Sequence, residues 1–262
     1  SVTAAAAGTA TVGHDPIDPR ELGREPLTDA EHAALLDRLS RDPVLLAALI
    51  DEFRSETDRR RLRRLAGVLD DVNDPAVGLL AAELVYSADA SQRQVGLELL
   101  GQVSSGDGQA RDIASGLLSS ETDGDVLVGA LNVLSRPGNV DDDTRASLAG
   151  QVALLVEHED PSVRRRSVDT LSRWTRDPAH EPLIVDALDD ADAGVREAAV
   201  YALAGRPAAG QDVRGELLTL IENGGEDEGV RRGAVLALNR MPLDDVERRR
   251  VQAVERELAR RR

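Results

Sequence analysis

The chain has 262 residues, 48 acidic and 32 basic, for a formal net charge of −16, and every basic residue is arginine. Such a surplus of carboxylate repels nucleic-acid phosphates and anionic lipid unless the arginines gather on one face. There is no cysteine, which excludes disulfides, thiolate metal ligands and thiol nucleophiles; no apolar run approaches the roughly eighteen residues of a membrane span.

Only Phe53, Tyr86, Trp174 and Tyr201 are aromatic, so a core must be built from Leu, Val and Ala, which suits thin stacked helices. Abundant Asp without Lys fits a high-salt host and a GC-rich genome equally well.

Residues 1–27 combine Ala4 to Ala7, scattered Gly, and Pro16, Pro19 and Pro26 without periodicity, and read as a flexible tail or tether. A start at Ser1 rather than Met is what removal of a leader, anchor or tag would leave, so the compartment stays open between the cytoplasm and an exported or periplasmic location. From residue 28 to 262 the expectation is one helical-repeat domain. Thr28 and Glu31 have capping-box spacing, and Leu35, Leu36 and Leu39 then mark a short amphipathic helix that caps the first repeat.

Helices are expected in pairs from Pro43 onward. The first members fall near 43–54, 75–86, 108–119, 143–157, 181–189 and 212–222; the second near 59–70, 90–103, 124–135, 161–174, 193–204 and 228–240. The repeats so delimited are 43–70, 75–103, 108–136, 143–174, 181–205 and 212–241. Each second helix follows an aspartate: Asp58, Asp89, Asp123, Asp160, Asp192 or Asp227, spaced by 31, 34, 37, 32 and 35 residues. Eleven residues after each stands a leucine, Leu69, Leu100, Leu134, Leu171, Leu203 and Leu238. The seventh residue is mostly small (Gly96, Ala130, Ser167, Ala199, Ala234) and the eighth is apolar or Ala. Offsets 3, 7, 10 and 11 make one helical stripe, so the Asp reads as an N-cap and the Leu as its buried anchor. A last segment, 243–262, places Val246, Val251, Val254 and Leu258 on one side with seven arginines elsewhere, as a C-terminal capping helix would.

Asp160-Pro161-Ser162-Val163-Arg164, with Ser167, Val168 and Leu171, resembles the second helix of HEAT repeats, in particular the short bacterial kind named phycocyanobilin-lyase HEAT-like repeats. Asp192 to Leu203 is the nearest copy and Asp227 to Leu238 almost as good, whereas Leu62 and Leu127 stand where the family pattern has Arg. Over residues 43–241 the resemblance implies an all-α fold, a right-handed α-α superhelix of about six helix pairs whose second helices line the concave side. It also accounts for Arg93, Arg164, Arg196 and Arg231, each four residues after its Asp, which can meet that Asp on the helix or form a ladder between repeats.

Candidate chemistry is sparse. His158-Glu159 and His180-Glu181 are similar to the His-Glu pairs of deoxyhypusine hydroxylase, a HEAT-like di-iron protein, but they sit out of register relative to their aspartates and would not converge. No catalytic residue, metal ligand or cofactor is expected. HEAT-like DNA glycosylases need a basic, aromatic-lined concave face, and the charge here is wrong for nucleic acid. Trp174 ends a second helix and reads as a plug between repeats. The run Arg59-Arg60-Arg61, with Arg63 and Arg64, is surrounded by Glu52, Glu56, Asp58, Asp70 and Asp71 and reads as a neutralised face.

The stripe opposite the packing face of the last three second helices carries Arg165, Arg166, Asp169, Ser172 and Arg173; then Glu197, Tyr201 and Gly205; then Arg232, Leu236, Asn239 and Arg240. Arg165, Asp169, Arg173, Tyr201, Arg232, Leu236 and Arg240 form the candidate partner-binding set, because arginine and exposed aromatic or apolar anchors dominate interface energies; an acidic peptide or protein face is the matching ligand. The alternative is a solvated face whose arginines balance nearby carboxylates. The expected function is a non-enzymatic, monomeric scaffold that binds another protein, with a bilin-lyase-like or enzyme-associated regulatory subunit as the second reading.

Overall fold

A computed structural model describes residues 26–72, 74–103, 108–175, 177–204 and 211–260. The tail expected over residues 1–27 lies outside these residues except for Pro26 and Leu27, as does Gly205 of the candidate face. Among the described residues there are fourteen α-helices, two short 3₁₀ segments and no strand, so the fold is all-α. The chain divides into two compact units, 1–80 and 81–262, and the division falls inside the fourth helix.

In the first unit, α1 (Asp29–Leu39) starts with the Thr28–Glu31 capping box and packs on α2 (Pro43–Ser55), which packs in turn on α3 (Arg59–Asp70). Their shared core is Leu35, Leu39, Leu45, Leu49, Phe53, Leu65 and Leu69. The expected neutralisation of the basic run is visible at Arg61, whose Nη1 pairs with Glu52 at 2.7 Å and also with Glu56.

Helix α4 (Pro75–Leu84) spans the division, and the second unit continues with α5 (Ala90–Val103), α6 (Gly108–Ser120), α7 (Gly124–Val133), α8 (Asp142–Ala153), α9 (Pro161–Trp174), α10 (Glu181–Asp186), α11 (Ala193–Ala204), α12 (Gln211–Glu222), α13 (Glu228–Leu238) and α14 (Asp245–Ala259). The Asp-led helices α5, α7, α9, α11 and α13 pack side by side in chain order, and α6, α8, α10 and α12 each pack on the Asp-led helix that follows. The first helix of the fifth repeat, expected as one stretch over 181–189, is instead α10 flanked by 3₁₀ turns at Pro178–His180 and Ala187–Asp189. Its tight last turn ends the helix in time for Asp190 to serve the next cap, as described below.

All six aspartates are N-caps. Each carboxylate accepts one or two free backbone N–H groups, from 2.7 Å for Asp89 (Ser91), Asp160 (Ser162) and Asp227 (Gly229) through 2.8 Å for Asp58 (Arg61) and Asp192 (Gly194) to 3.1 Å for Asp123 (Val126). All six leucines eleven residues later are buried. The small seventh residue has a steric cause in the second repeat, where a Cβ on Gly96 would stand 2.8 Å from the Val85 backbone nitrogen. Trp174 is the expected plug: it is 1% exposed, and its indole N–H donates to the Leu134 carbonyl at the end of α7 at 2.5 Å.

The repeated arginine does not pair with the N-cap of its own helix; it spans two repeats. Arg164 donates through Nη1 to the His158 and Glu159 carbonyls (2.9 and 3.0 Å) in the turn before its helix, and through Nε and Nη2 to both oxygens of Asp190 (2.7 and 2.8 Å) in the turn before the next. Arg93 makes the same four bonds, to the Ser87 and Ala88 carbonyls and to Glu121. Arg196 spans the same way, to the Asp190 and Ala191 carbonyls and to Glu226, whose two oxygens its Nε shares. Arg231 closes the series on Glu257 of α14 at 3.1 and 3.2 Å.

Each acid in turn accepts the backbone N–H of the N-cap that follows: Asp123 to Glu121 (2.9 Å), Asp192 to Asp190 (2.8 Å), Asp227 to Glu226 (2.8 Å). The bidentate guanidinium of Arg164, joined by the Asp192 N–H, holds the Asp190 carboxyl below its ordinary range against the opposing effect of burial. Burial pushes Glu121 up, but the bonds from Arg93 and from the Asp123 and Thr122 amides outweigh it and leave that group lowered too.

One rung is absent. Leu127 of α7 stands where the arginine belongs, and His158 stands where the acid belongs; His158 Nδ1 accepts the Asp160 N–H at 3.0 Å and so preserves the turn without a charge pair. At that junction the anchoring moves to the other end of the helices, where Trp174 holds the Leu134 carbonyl.

Candidate functional site

The candidate face lies on α9, α11 and α13, whose caps and buried valines and leucines orient the opposite side outward. Four of the seven proposed residues come together. Arg165, Asp169 and Arg173 of α9 and Tyr201 of α11 line a depression of about 660 Å³, together with Val128, Ser162, Arg166, Glu197 and Ala198. The other three, Arg232, Leu236 and Arg240 of α13, are not among its lining residues. Arg232 pairs with Glu228 one turn back, and Arg240 donates to the Ala204 carbonyl at 3.4 Å.

Much of the face's charge is internally balanced. Asp169 takes Arg166 on one oxygen at 3.2 Å and Arg173 on the other at 2.9 Å. Asn239 donates to Glu255 of α14 at 2.7 Å. Tyr201 is 50% exposed and Leu236 42%, although both follow their N-cap Asp by nine residues on helices that are otherwise well packed. Asp169, Asn132 and Glu98 occupy the same register in the three preceding repeats and Gly67 in the first, so Tyr201 and Leu236 depart from a position that is polar or small elsewhere.

Sequence reasoning missed the glycines beneath this face. Arg165 lies over Gly194, Glu197 over Gly229 and Tyr201 over Gly233: a Cβ on those glycines would stand 3.4 Å from Arg165 Cδ, 3.0 Å from Glu197 Oε1 and 3.6 Å from Tyr201 Cζ. The signal was present as glycine at the second residue after Asp192 and Asp227, where earlier repeats have Ser91, Asp125 and Ser162.

The two His-Glu pairs are used locally. His158 supports the Asp160 turn, and His180 Nδ1 lies 3.1 Å from the Thr175 hydroxyl. Among the described residues no group of three or more His, Asp or Glu side chains is placed to hold a metal ion, and no helix is long and apolar enough to cross a membrane.

Residues 148–208 match the family model of HEAT repeats. No curated protein sequence matches the chain. Among solved structures, the YibA protein of Escherichia coli is 17% identical, with 88% of this chain and 80% of that chain covered and a TM-score of 0.63. An engineered protein is 19% identical, with coverage of 85% and 96% and a TM-score of 0.50. The complex of CpcE and CpcF of phycocyanin lyase from a Nostoc species is 15% identical, with coverage of 97% and 100% and a TM-score of 0.46. At these identities the likeness is one of fold. The family match covers α9 and α11, so residues 148–208 carry HEAT repeats within a chain whose fold is that of helical-repeat proteins.

Proposed function

We propose that the chain is a non-catalytic scaffold that binds another protein along the outward face of α9, α11 and α13, with Arg165, Asp169, Arg173, Tyr201, Arg232, Leu236 and Arg240 as its contact set. The observation that carries this reading is the pair Tyr201 and Leu236, exposed at one register of adjacent helices where the earlier repeats are polar or, in the first, glycine. Large side chains held half out of a rigid, charged surface are what an interface centre needs, since a few aromatic, apolar and arginine anchors supply most binding energy. Repeat arrays favour this use because structural demands fix some positions of each copy and leave others to vary.

The test is site-specific photocrosslinking in the native host, with p-benzoylphenylalanine placed at position 201, at 236, and at 154, where Leu154 is 82% exposed but off this face. The scaffold reading expects one protein captured from 201 and 236 and not from 154. Capture that is equal at all three positions, or absent at 201 and 236, would sink it.

A further inference from the structure

Within the depression, charges remain unspent. Arg164, Arg166 and Arg173 of α9 are engaged with Asp190 and Asp169, whereas Arg165 has no ion pair or hydrogen bond among the described residues. Glu197 lines the same depression and has no ion pair there either. The lining holds three arginines against two carboxylates, a local cationic excess on a chain whose net charge is −16.

These groups also stand close to the neighbouring helix. The neighbouring helix carries no side chain beneath either: a Cβ on Gly194 would stand 3.4 Å from Arg165 Cδ, and one on Gly233 3.6 Å from Tyr201 Cζ, which leaves room at the floor of the depression. The volume, about 660 Å³, is enough for a short run of side chains.

Resting on the scaffold reading above, we infer that this depression takes an extended acidic peptide segment of the partner protein. One side-chain carboxylate meets the Arg165 guanidinium, an adjacent apolar side chain lies on the Tyr201 ring, and Glu197 accepts a backbone N–H of the segment. Arg165 is the anchor because a guanidinium can take a carboxylate through two parallel N–H bonds.

Fluorescence anisotropy of the full chain with fluorescein-labelled Glu-Leu-Glu-Leu-Glu-Leu, and with its uncharged Gln-Leu-Gln-Leu-Gln-Leu counterpart, tests this. The acidic probe should bind about tenfold tighter than the neutral one, and R165A should remove about tenfold of that affinity. Thermal unfolding of R165A should match the parent, and R249A, an exposed arginine on α14, should bind as the parent does. Equal binding of the two probes, equal losses in R165A and R249A, or no binding of the acidic probe at about 1 mM would overturn the assignment. If it is overturned while position 201 still crosslinks a protein, the scaffold reading stands and its occupant is different; if the crosslink also fails, both fall.

Discussion

The smallest units of this fold are single atoms that each close a helix end. The six N-cap aspartates are legible in sequence because capping is local: a carboxylate reaches amides only two or three residues ahead, so spacing alone reveals it. Trp174 is different, since its partner carbonyl at Leu134 lies 40 residues away and only its position at a helix end hinted at a structural role. W174F keeps the apolar ring but leaves the buried Leu134 carbonyl without its donor, and should cost about 1–3 kcal/mol in urea unfolding. Gly96 is the steric counterpart. G96A must displace the Val85 backbone, so it should destabilise the chain by about 1–3 kcal/mol, whereas Gly→Ala in an open helix stabilises by about 1 kcal/mol. A G96A protein as stable as the parent would contradict the close approach of α4 and α5.

At the scale of the element, the arginine ladder joins consecutive turns. Sequence reasoning found the arginines but not their partners, because pairing across repeats depends on stacking register, which no single copy reveals. The clue was the recurring acid two residues before the cap, in Glu56-Thr57-Asp58, Glu121-Thr122-Asp123 and Asp190-Ala191-Asp192. Where the arginine is Leu127, the next turn offers His158 instead of an acid, so both halves of the rung are missing together. Installing both, as L127R/H158E, should stabilise the chain by about 0.5–1.5 kcal/mol more than the sum of the single changes. Additive effects would mean that the junction's geometry does not admit a rung.

The rungs also set an acid limit. Because the folded pKa values of Asp190 and Glu121 are depressed below their unfolded ones, near 4, the stability they contribute is complete above about pH 4 and is lost as pH falls through the folded values. Urea midpoints should therefore fall as pH drops below about 4, and fall less in R164A, where Asp190 has lost its guanidinium.

Across the whole molecule, repetition and variation divide the labour. Positions that recur, the Asp caps, the buried leucines and the rung arginines, are consumed by structure, and the resemblance to HEAT repeats rests on them. The candidate site lies where copies differ, and this is why it was only partly legible. The outward stripe was deduced from helical geometry, which placed Arg165, Asp169, Arg173 and Tyr201 together. That geometry could not tell which arginines were already paired, nor that Gly194 and Gly233 lie beneath their neighbours.

Arg164 and Arg165 put this division to the test, because they are adjacent in sequence and opposite in role. Thermal unfolding of R164A and R165A, measured side by side on the full chain, is the most direct measurement. R164A removes a half-buried bidentate pair worth about 2–3 kcal/mol and should lower Tm by about 4–10 °C for a chain of this size, while R165A should leave Tm within about 1 °C. Equal losses in the two variants, or a loss in R165A alone, would contradict the account.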